Sequence, residues 1–265
     1  MIKIANVEVA GWEHAIRGMR NPKNSWDKSD SHFNVLCDDV PCDSCPAYRR
    51  DHNGFGCVDY LNNELGNTDI GPNDHKLMMS LAAGGPVHAK YRRMITVYLD
   101  ITAPLYWWKE FDTYKVGTVA NSCSTMHKIH EKEFTVEDFS CEHLFDKEDL
   151  LDNDKQAWIS EDNALTAINV DGDLCYYTPK GFIRMACNIL NRYRKLFIET
   201  KDKKYWWQMI QLLPSSYNQK RTIMLNYEVL AGMYESRKAH KLDEWKEFCN
   251  WIESLPYSEL ITGKE

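Results

Sequence analysis

A long amphipathic helix is the clearest element in this chain of 265 residues. Thr178 followed by Pro179 indicates a helix start, because a threonine hydroxyl can cap free backbone N–H groups and proline fits the first turn. Apolar residues then recur at three- and four-residue steps: Phe182, Met185, Ala186, Ile189, Leu190, Tyr193, Leu196 and Phe197. Such a face must be buried, so helices are expected to form much of the core.

Strands are expected mainly in the first half of the chain. Residues 1–11 alternate in polarity, and residues 93–102 (RMITVYLDIT) are rich in β-branched side chains. Residues 130–175 are acidic and weakly patterned, which predicts helix and loop. Further helices are predicted at residues 12–20, 73–83, 205–213, 223–235 and 242–255. The expected class is α+β, with a modest antiparallel or mixed sheet packed with several helices.

Length and composition predict one domain covering residues 1–265. The net charge is −7 with no strongly basic block, which argues against binding a nucleic-acid polymer. No apolar run reaches membrane-spanning length, and the first residues lack the charged-then-apolar pattern of a signal peptide. The nine cysteines are an odd number, so they cannot all be paired in disulfides within the chain. These features together predict a cytoplasmic protein that does not engage a membrane.

A cysteine-rich insertion is predicted at about residues 36–60, within a long polar loop over residues 21–72. Its spacing is Cys37-x4-Cys42-x2-Cys45-x11-Cys57. Two thiolates separated by two residues can hold a tetrahedral metal ion, and the outer cysteines could complete the site. The first spacing is loose and no second CxxC follows, so a structural zinc and free thiols in a flexible insertion both stay open.

Two polar segments are candidates for ligand binding. The first follows the aromatic run LYWWKEF and contains Tyr114, Lys115, Asn121 and Ser124. Short hydroxyl and amide side chains in such a loop can bind a phosphate, a ribose or a base edge, although a simple capped turn has the same composition. The second segment runs from Asn226 to His240 and contains Arg237. An arginine there offers a bidentate fork to a carbonyl or phosphate, or it is a solvated cation at a helix end.

These two segments belong to a series of short motifs that follow one another along the chain. They are Pro86-Val87-His88, Ala103-Pro104 after the strand, Asn121-x-x-Ser124, Leu212-Leu213-Pro214, Asn226, Arg237, His240 and Trp245. Their order and spacing resemble those of the flavin-dependent thymidylate synthases, over roughly residues 73–128 and 205–252.

The resemblance implies a specific chemistry. Enzymes of this family transfer the methylene group of methylenetetrahydrofolate to C5 of dUMP, and FAD reduced by NADPH supplies the hydride. They are usually homotetramers. By resemblance, the residues that would contact FAD are His88, Asn121, Asn226 and His240. The residues that would bind dUMP are Tyr114, Lys115, Ser124 and Arg237, with Ser124 and Arg237 in the catalytic centre.

The chain departs from the family in its charges. The family's Arg-His-Arg falls on residues 112–116, which read Asp-Thr-Tyr-Lys-Val, and Lys115 alone keeps a positive charge. Ser122 and Met126 replace a glutamate and an arginine, and Gly232 stands where an amide side chain is expected. Two alternatives therefore stay open. One is a flavoenzyme for a different pyrimidine nucleotide, and the other is a non-catalytic relative that binds a nucleotide or a protein partner.

Overall fold

The structure is a computed structural model that describes residues 1–33, 68–146, 167–170, 173–176 and 178–264. The cysteine-rich insertion predicted at about residues 36–60 lies outside the described residues. Its four candidate zinc ligands, Cys37, Cys42, Cys45 and Cys57, therefore lie outside them as well.

The described residues form short strands and mostly short helices. The strands are β1 (Lys3–Ala10), β2 (His32–Phe33), β3 (Thr68–Asp69), β4 (Thr96–Pro104), β5 (Val119–Ser122), β6 (Ala167–Val170), β7 (Asp173–Tyr176) and β8 (Asn218–Asn226). The α-helices are α1 (Trp12–Arg20), α2 (Pro72–Ala83), α3 (Leu105–Phe111), α4 (Pro179–Thr200), α5 (Lys203–Leu212), α6 (Tyr227–Arg237), α7 (Asp243–Glu253) and α8 (Glu259–Thr262).

The main sheet has four strands in the order β1-β4-β8-β5. Strand β5 is antiparallel to β8, with Asn121 opposite Thr222 and Ser122 opposite Arg221. Two-stranded ladders join β2 to β3 and β6 to β7. This modest sheet with several helices confirms the predicted α+β class. No helix in the described part of the chain combines the length and apolar character needed to cross a membrane.

A polar network lies on the sheet and joins three of its strands. The Asp100 carboxylate of β4 accepts hydrogen bonds from Asn6 Nδ2 on β1 at 2.8 Å and from Thr222 Oγ1 on β8 at 2.6 Å. Lys220 Nζ lies 2.8 Å from the same carboxylate. Hydrogen bonds from Lys220, Thr222 and Asn6 lower the pKa of Asp100 to about 2, so the carboxylate stays ionised at neutral pH.

The prediction of a helix over residues 223–235 is wrong in its first part. Residues Asn218–Asn226 form strand β8, in which Ile223 and Leu225 are buried while Thr222 is exposed. This alternation has the period of a strand. Helix α6 begins only after Asn226, whose Oδ1 accepts a hydrogen bond from the backbone N–H of Val229 at 3.0 Å.

The long helix predicted from residue 178 is confirmed as α4. Thr178 Oγ1 accepts from the backbone N–H of Gly181 at 2.9 Å, which is the expected cap. The buried apolar side chains of this helix are Ile183, Cys187 and Leu190, whereas Phe182 is 56% exposed. The buried face is therefore rotated by about one residue from the face that the periodicity indicated.

Two compact units divide the chain. The first contains Met1–Val7, Tyr98–Met224 and Ala239–Phe248, and the second contains Glu8–Val97, Leu225–Lys238 and Cys249–Glu265. The first unit has an aromatic core of Trp107, Trp108, Phe111, Trp245 and Phe248. It also has a second core around α4 and α5, which includes Ile129, Phe134, Leu190 and Met209. The single domain over residues 1–265 stays a prediction.

The second unit is organised around a buried ion pair. The Asp74 carboxylate, fully buried near the start of α2, lies 2.6 Å from Arg20 Nε and accepts hydrogen bonds from the hydroxyls of Ser29 and Ser31, each at 2.7 Å. The Asp30 carboxylate also accepts from the backbone N–H of Asp74 at 3.1 Å, so it caps this helix from another segment. This network fixes the segment that leads into β2.

Candidate functional site

The Ser124 hydroxyl caps a turn that follows the edge strand β5. All four residues of β5 are exposed, including Asn121. Ser124 Oγ accepts hydrogen bonds from the backbone N–H groups of Met126 at 3.2 Å and His127 at 2.8 Å. The capped turn considered from the sequence is therefore present. Because both acceptor positions of Oγ are used, the hydroxyl proton remains for donation to a ligand.

Asp112, the first residue of the segment 112–116, forms an ion pair with an arginine from strand β8. Arg221 Nη1 lies 2.7 Å from Asp112 Oδ1, and Arg221 Nε donates to Gln219 Oε1 at 3.0 Å. The guanidinium centre lies 4.2 Å from the centre of the Trp108 ring. Sequence reasoning missed Arg221, because the pairing depends on strand order and no local pattern indicates it.

Lys115 and Tyr114 lie in the loop between α3 and β5. Lys115 is exposed, while Tyr114 is half-buried with its ring centre 6.2 Å from that of Trp245. His240 is anchored in the same unit, because its Nε2 lies 3.5 Å from Glu110 Oε2 and its Nδ1 accepts from the backbone N–H of Leu242 at 3.2 Å.

The Glu110 carboxylate holds two side chains at once. Its Oε2 also accepts a hydrogen bond from Trp245 Nε1 at 2.8 Å. Glu110 thus contacts both His240 and Trp245 and restricts their relative positions. This positioning residue is one that the sequence alone did not indicate.

The second unit carries His88, Asn226 and Arg237. His88 is exposed, and its backbone N–H donates to Gly85 O at 3.0 Å in a turn. Asn226 uses Oδ1 to cap α6, and its Nδ2 has no hydrogen-bond partner among the described residues. Arg237 is half-buried in the last turn of α6, where a cation meets the negative end of the helix dipole.

Gly232 leaves open space on helix α6. A Cβ atom built at this position would meet no other atom within 4 Å. The amide side chain expected there by resemblance would therefore fit at its first carbon atom.

A second feature that sequence reasoning missed is a cluster of Lys203, Trp206 and Trp207 on α5, named here the Lys203–tryptophan cluster. Lys203 Nζ lies 5.7 Å from the centre of the Trp206 ring and 5.5 Å from that of Trp207. Trp206 Nε1 donates to Met126 O at 2.8 Å, in the turn capped by Ser124. The three- and four-residue spacing on a helix was the available signal, because it places such side chains on one face.

The predicted site residues are thus distributed between the units. Tyr114, Lys115, Asn121, Ser124 and His240 belong to the first unit, and His88, Asn226 and Arg237 belong to the second. Their convergence on one pocket stays a prediction. Among the described residues, no group of three or more His, Cys, Asp or Glu side chains could hold a metal ion.

Comparison with known proteins gives structural likeness without sequence likeness. No family model and no curated protein matches the sequence. Thymidylate synthase X from Helicobacter pylori, solved with FAD and dUMP, is 13% identical with a TM-score of 0.56, covering 99% of this chain and 98% of that one. A second structure of flavin-dependent thymidylate synthase from H. pylori, complexed with FAD and dUMP, is 14% identical with a TM-score of 0.56, covering 98% and 99%.

The third similar structure is a methylase of UMP and dUMP. The UMP/dUMP methylase PolB from Streptomyces cacaoi, bound with 5-Br dUMP, is 11% identical with a TM-score of 0.52, covering 99% of this chain and 94% of that one. The chain therefore has the fold of the flavin-dependent thymidylate synthases and of this methylase along nearly its whole length. At these identities the likeness shows the fold alone.

Proposed function

We propose that this protein is a flavin-dependent enzyme that reductively methylates a pyrimidine deoxynucleotide, with dUMP as the substrate. The observation that carries the proposal is the fold, which matches an FAD- and dUMP-bound thymidylate synthase over 99% of this chain. The order of His88, Asn121, Ser124, Asn226 and Arg237 along the sequence supports it. Fold likeness alone would be compatible with many reactions, and the presence of these residues favours this one.

The proposed reaction builds a methyl group on C5 of the base. The methylene carbon of methylenetetrahydrofolate would form a bond to C5 while its bonds to the folate nitrogens break, which releases tetrahydrofolate, and the C5 proton would leave. FAD that NADPH has reduced would supply the hydride that completes the methyl group, and it would return to the oxidised form. Arg237 would donate to a pyrimidine carbonyl and so make C5 more nucleophilic. Ser124, Lys115 and Tyr114 would orient the nucleotide through hydroxyl and ammonium donors.

The residues proposed to hold FAD fit it by their chemical kind. His88 and Asn121 are exposed, and Asn226 keeps its Nδ2 donor after capping α6. Amide and imidazole groups can donate to and accept from the polar edge of a flavin ring. His240 lies beside Glu110, which would restrict the orientation of its ring if it contacts FAD.

Two observations favour alternatives to this function. The likeness to a UMP/dUMP methylase favours a flavoenzyme that uses a different pyrimidine nucleotide. The ion pair of Asp112 with Arg221 occupies the segment where the family motif carries arginines, which favours a non-catalytic relative that binds a nucleotide or a protein partner. Each alternative predicts a different outcome in the experiment below.

Three further parts of the proposal rest on resemblance or on cysteine spacing. They are a homotetrameric assembly, a cytoplasmic location and a structural zinc ion bound by Cys37, Cys42, Cys45 and Cys57. Zinc analysis of the wild type beside the Cys42→Ser, Cys45→Ser double variant tests the last part. A Cys123→Ser variant is the control, because Cys123 is an exposed free thiol outside the insertion. Equal zinc content in all three proteins would contradict it.

The enzyme proposal is tested by colour and by product. The purified protein, supplied with FAD, is expected to show the absorption band of oxidised flavin and to bleach with NADPH. With methylenetetrahydrofolate it is expected to convert dUMP to dTMP, as measured by mass spectrometry. A flavin band with product from UMP alone would indicate the different substrate, and a colourless protein that binds dUMP without product would indicate the non-catalytic relative.

A further inference from the structure

The Lys203–tryptophan cluster presents a cation that no acidic group neutralises among the described residues. Lys203 is exposed, and its ammonium group lies over the faces of Trp206 and Trp207. The next residue provides a contrast, because Lys204 Nζ lies 2.9 Å from Asp202 Oδ2. Indole faces attract an ammonium group without cancelling its charge. Lys203 is therefore held in place and still able to bind an anion.

A hydrogen bond connects this cluster to the turn of the candidate nucleotide loop. Trp206 Nε1 donates to Met126 O at 2.8 Å, and the backbone N–H of Met126 donates to Ser124 Oγ. Lys203 and Ser124 thus belong to one connected arrangement within the first unit. The side chain at position 126 is a methionine, where the resembled family carries an arginine.

The Ser124 hydroxyl and the Lys203 ammonium can both donate hydrogen bonds to the same kind of ligand. The Ser124 hydroxyl already accepts two backbone N–H groups, so its remaining capacity is one donor. The Lys203 ammonium has three donors and no acceptor. Both therefore require an acceptor that is preferably negative, and a phosphate monoester offers three such oxygen atoms.

We infer that Lys203, fixed by Trp206 and Trp207, binds the phosphate of the nucleotide together with the Ser124 hydroxyl. In this role Lys203 supplies the positive charge that Met126 does not. The inference rests on the proposed function, because it assigns a phosphate-binding residue to the same site. Lys203 would also provide a cation for a nucleotide monophosphate in a chain whose residues 112–116 lack the arginines of the resembled family.

The test compares dUMP with deoxyuridine, which lacks the phosphate, on the full-length protein by isothermal titration calorimetry. For Lys203→Met, the Kd of dUMP is expected to rise about tenfold to a hundredfold, the range for one hydrogen bond to a charged group, while the Kd of deoxyuridine stays unchanged. Lys204→Met removes the same charge from the next residue and is expected to leave both constants unchanged. Lys203→Arg is expected to recover part of the affinity for dUMP.

Several results would overturn the inference. One is an unchanged Kd of dUMP in Lys203→Met, and another is an equal loss in Lys203→Met and Lys204→Met, which would indicate only a long-range charge effect. A loss confined to methylenetetrahydrofolate would assign Lys203 to the glutamyl carboxylates of the folate instead. A wild-type protein that binds no dUMP would overturn the proposed function as well, whereas a wild type that binds dUMP beside an unaffected Lys203→Met overturns this inference alone.

Discussion

Arg221 and Asp112 form an ion pair between strand β8 and the end of helix α3, with Nη1 and Oδ1 separated by 2.7 Å. The Arg221 side chain is 12% exposed, and its guanidinium stacks on Trp108. Asp112 stands at the start of the segment where the resembled family carries Arg-His-Arg. The carboxylate at position 112 is therefore paired with a cation from a different strand.

Arg221→Met is expected to lower the free energy of unfolding by about 1–3 kcal/mol. The substitution keeps an apolar stem on Trp108 but removes the cation–π contact and leaves the Asp112 carboxylate without this partner. Chemical denaturation in urea measures the change. Lys220→Met is the matched control, because Lys220 is the preceding residue and its side chain is 51% exposed, compared with 12% for Arg221. We expect the control to change stability by less than about 1 kcal/mol, and equal effects would contradict a special role for Arg221.

Asp74→Asn is expected to destabilise the protein by about 3–5 kcal/mol at neutral pH, because it leaves the buried Arg20 guanidinium without its counter-ion. Burial alone would raise the pKa of the Asp74 carboxyl, but hydrogen bonds from Ser31, Ser29 and Arg20 outweigh it and hold that pKa below 3.8. A carboxyl with a lowered pKa in the folded state stabilises the protein above the unfolded pKa, and this contribution is lost as the pH falls through the folded value.

The same residue therefore predicts a pH dependence. Between about pH 5 and pH 2 the wild type is expected to lose more free energy of unfolding than Asp74→Asn, which has no carboxyl to protonate. Urea denaturation at several pH values in this range measures the difference. Asp27→Asn, in the exposed 3₁₀ turn before Ser29, serves as the control for removing a surface charge. Parallel pH profiles for the wild type and Asp74→Asn would refute the argument.

Arg237→Ala is expected to lower kcat/KM for dUMP methylation about a hundredfold or more while the protein stays folded. The reason is the loss of the donor proposed to polarise the pyrimidine. Steady-state kinetics and circular dichroism measure the two quantities. Lys238→Ala is the control, since Lys238 is the next residue and pairs with Glu235 on the surface. An unaffected rate in Arg237→Ala would remove this residue from the mechanism.

His88→Ala is expected to weaken the retention of FAD more than the binding of dUMP. Because His88 is exposed, the substitution is expected to leave the free energy of unfolding nearly unchanged. Gel filtration followed by the flavin-to-protein absorbance ratio measures retention, and calorimetry measures dUMP binding. His14→Ala, another exposed histidine, is the control. Equal weakening of both ligands would contradict the assignment of His88 to the cofactor.

The parts of the fold that the sequence predicted are those decided by neighbouring residues. Thr178 caps α4 through a bond to the backbone N–H group three residues later, and this capping position could be identified from the sequence. Asn226 caps α6 in the same way, but the sequence prediction placed it inside the helix. The helix predicted over residues 223–235 failed because an apolar run of this length suits a strand or a helix. Residues 218–226 form a strand because they pair with β5, which lies about 100 residues earlier in the sequence.

In the candidate site, too, local features could be predicted from the sequence and contacts between distant residues could not. Ser124 as a turn cap was a considered alternative, and the spacing of Lys203, Trp206 and Trp207 was visible in the sequence. The ion pair of Arg221 with Asp112 was not predictable, because it depends on which strand lies beside the end of α3. Contacts of this kind arise from strand order, which short-range patterns do not encode.

The short ladder of β2 with β3 fixes where residues 34–67 leave and rejoin the described part of the chain. Phe33 lies opposite Thr68, so the two ends of residues 34–67 are already held side by side, while Asp74 and Asp30 anchor the adjoining segment. Each doubling of a connection between fixed ends costs only about 0.6 kcal/mol in closure entropy. A change in the length of residues 34–67 is therefore expected to add little closure entropy while the ladder of β2 with β3 is intact.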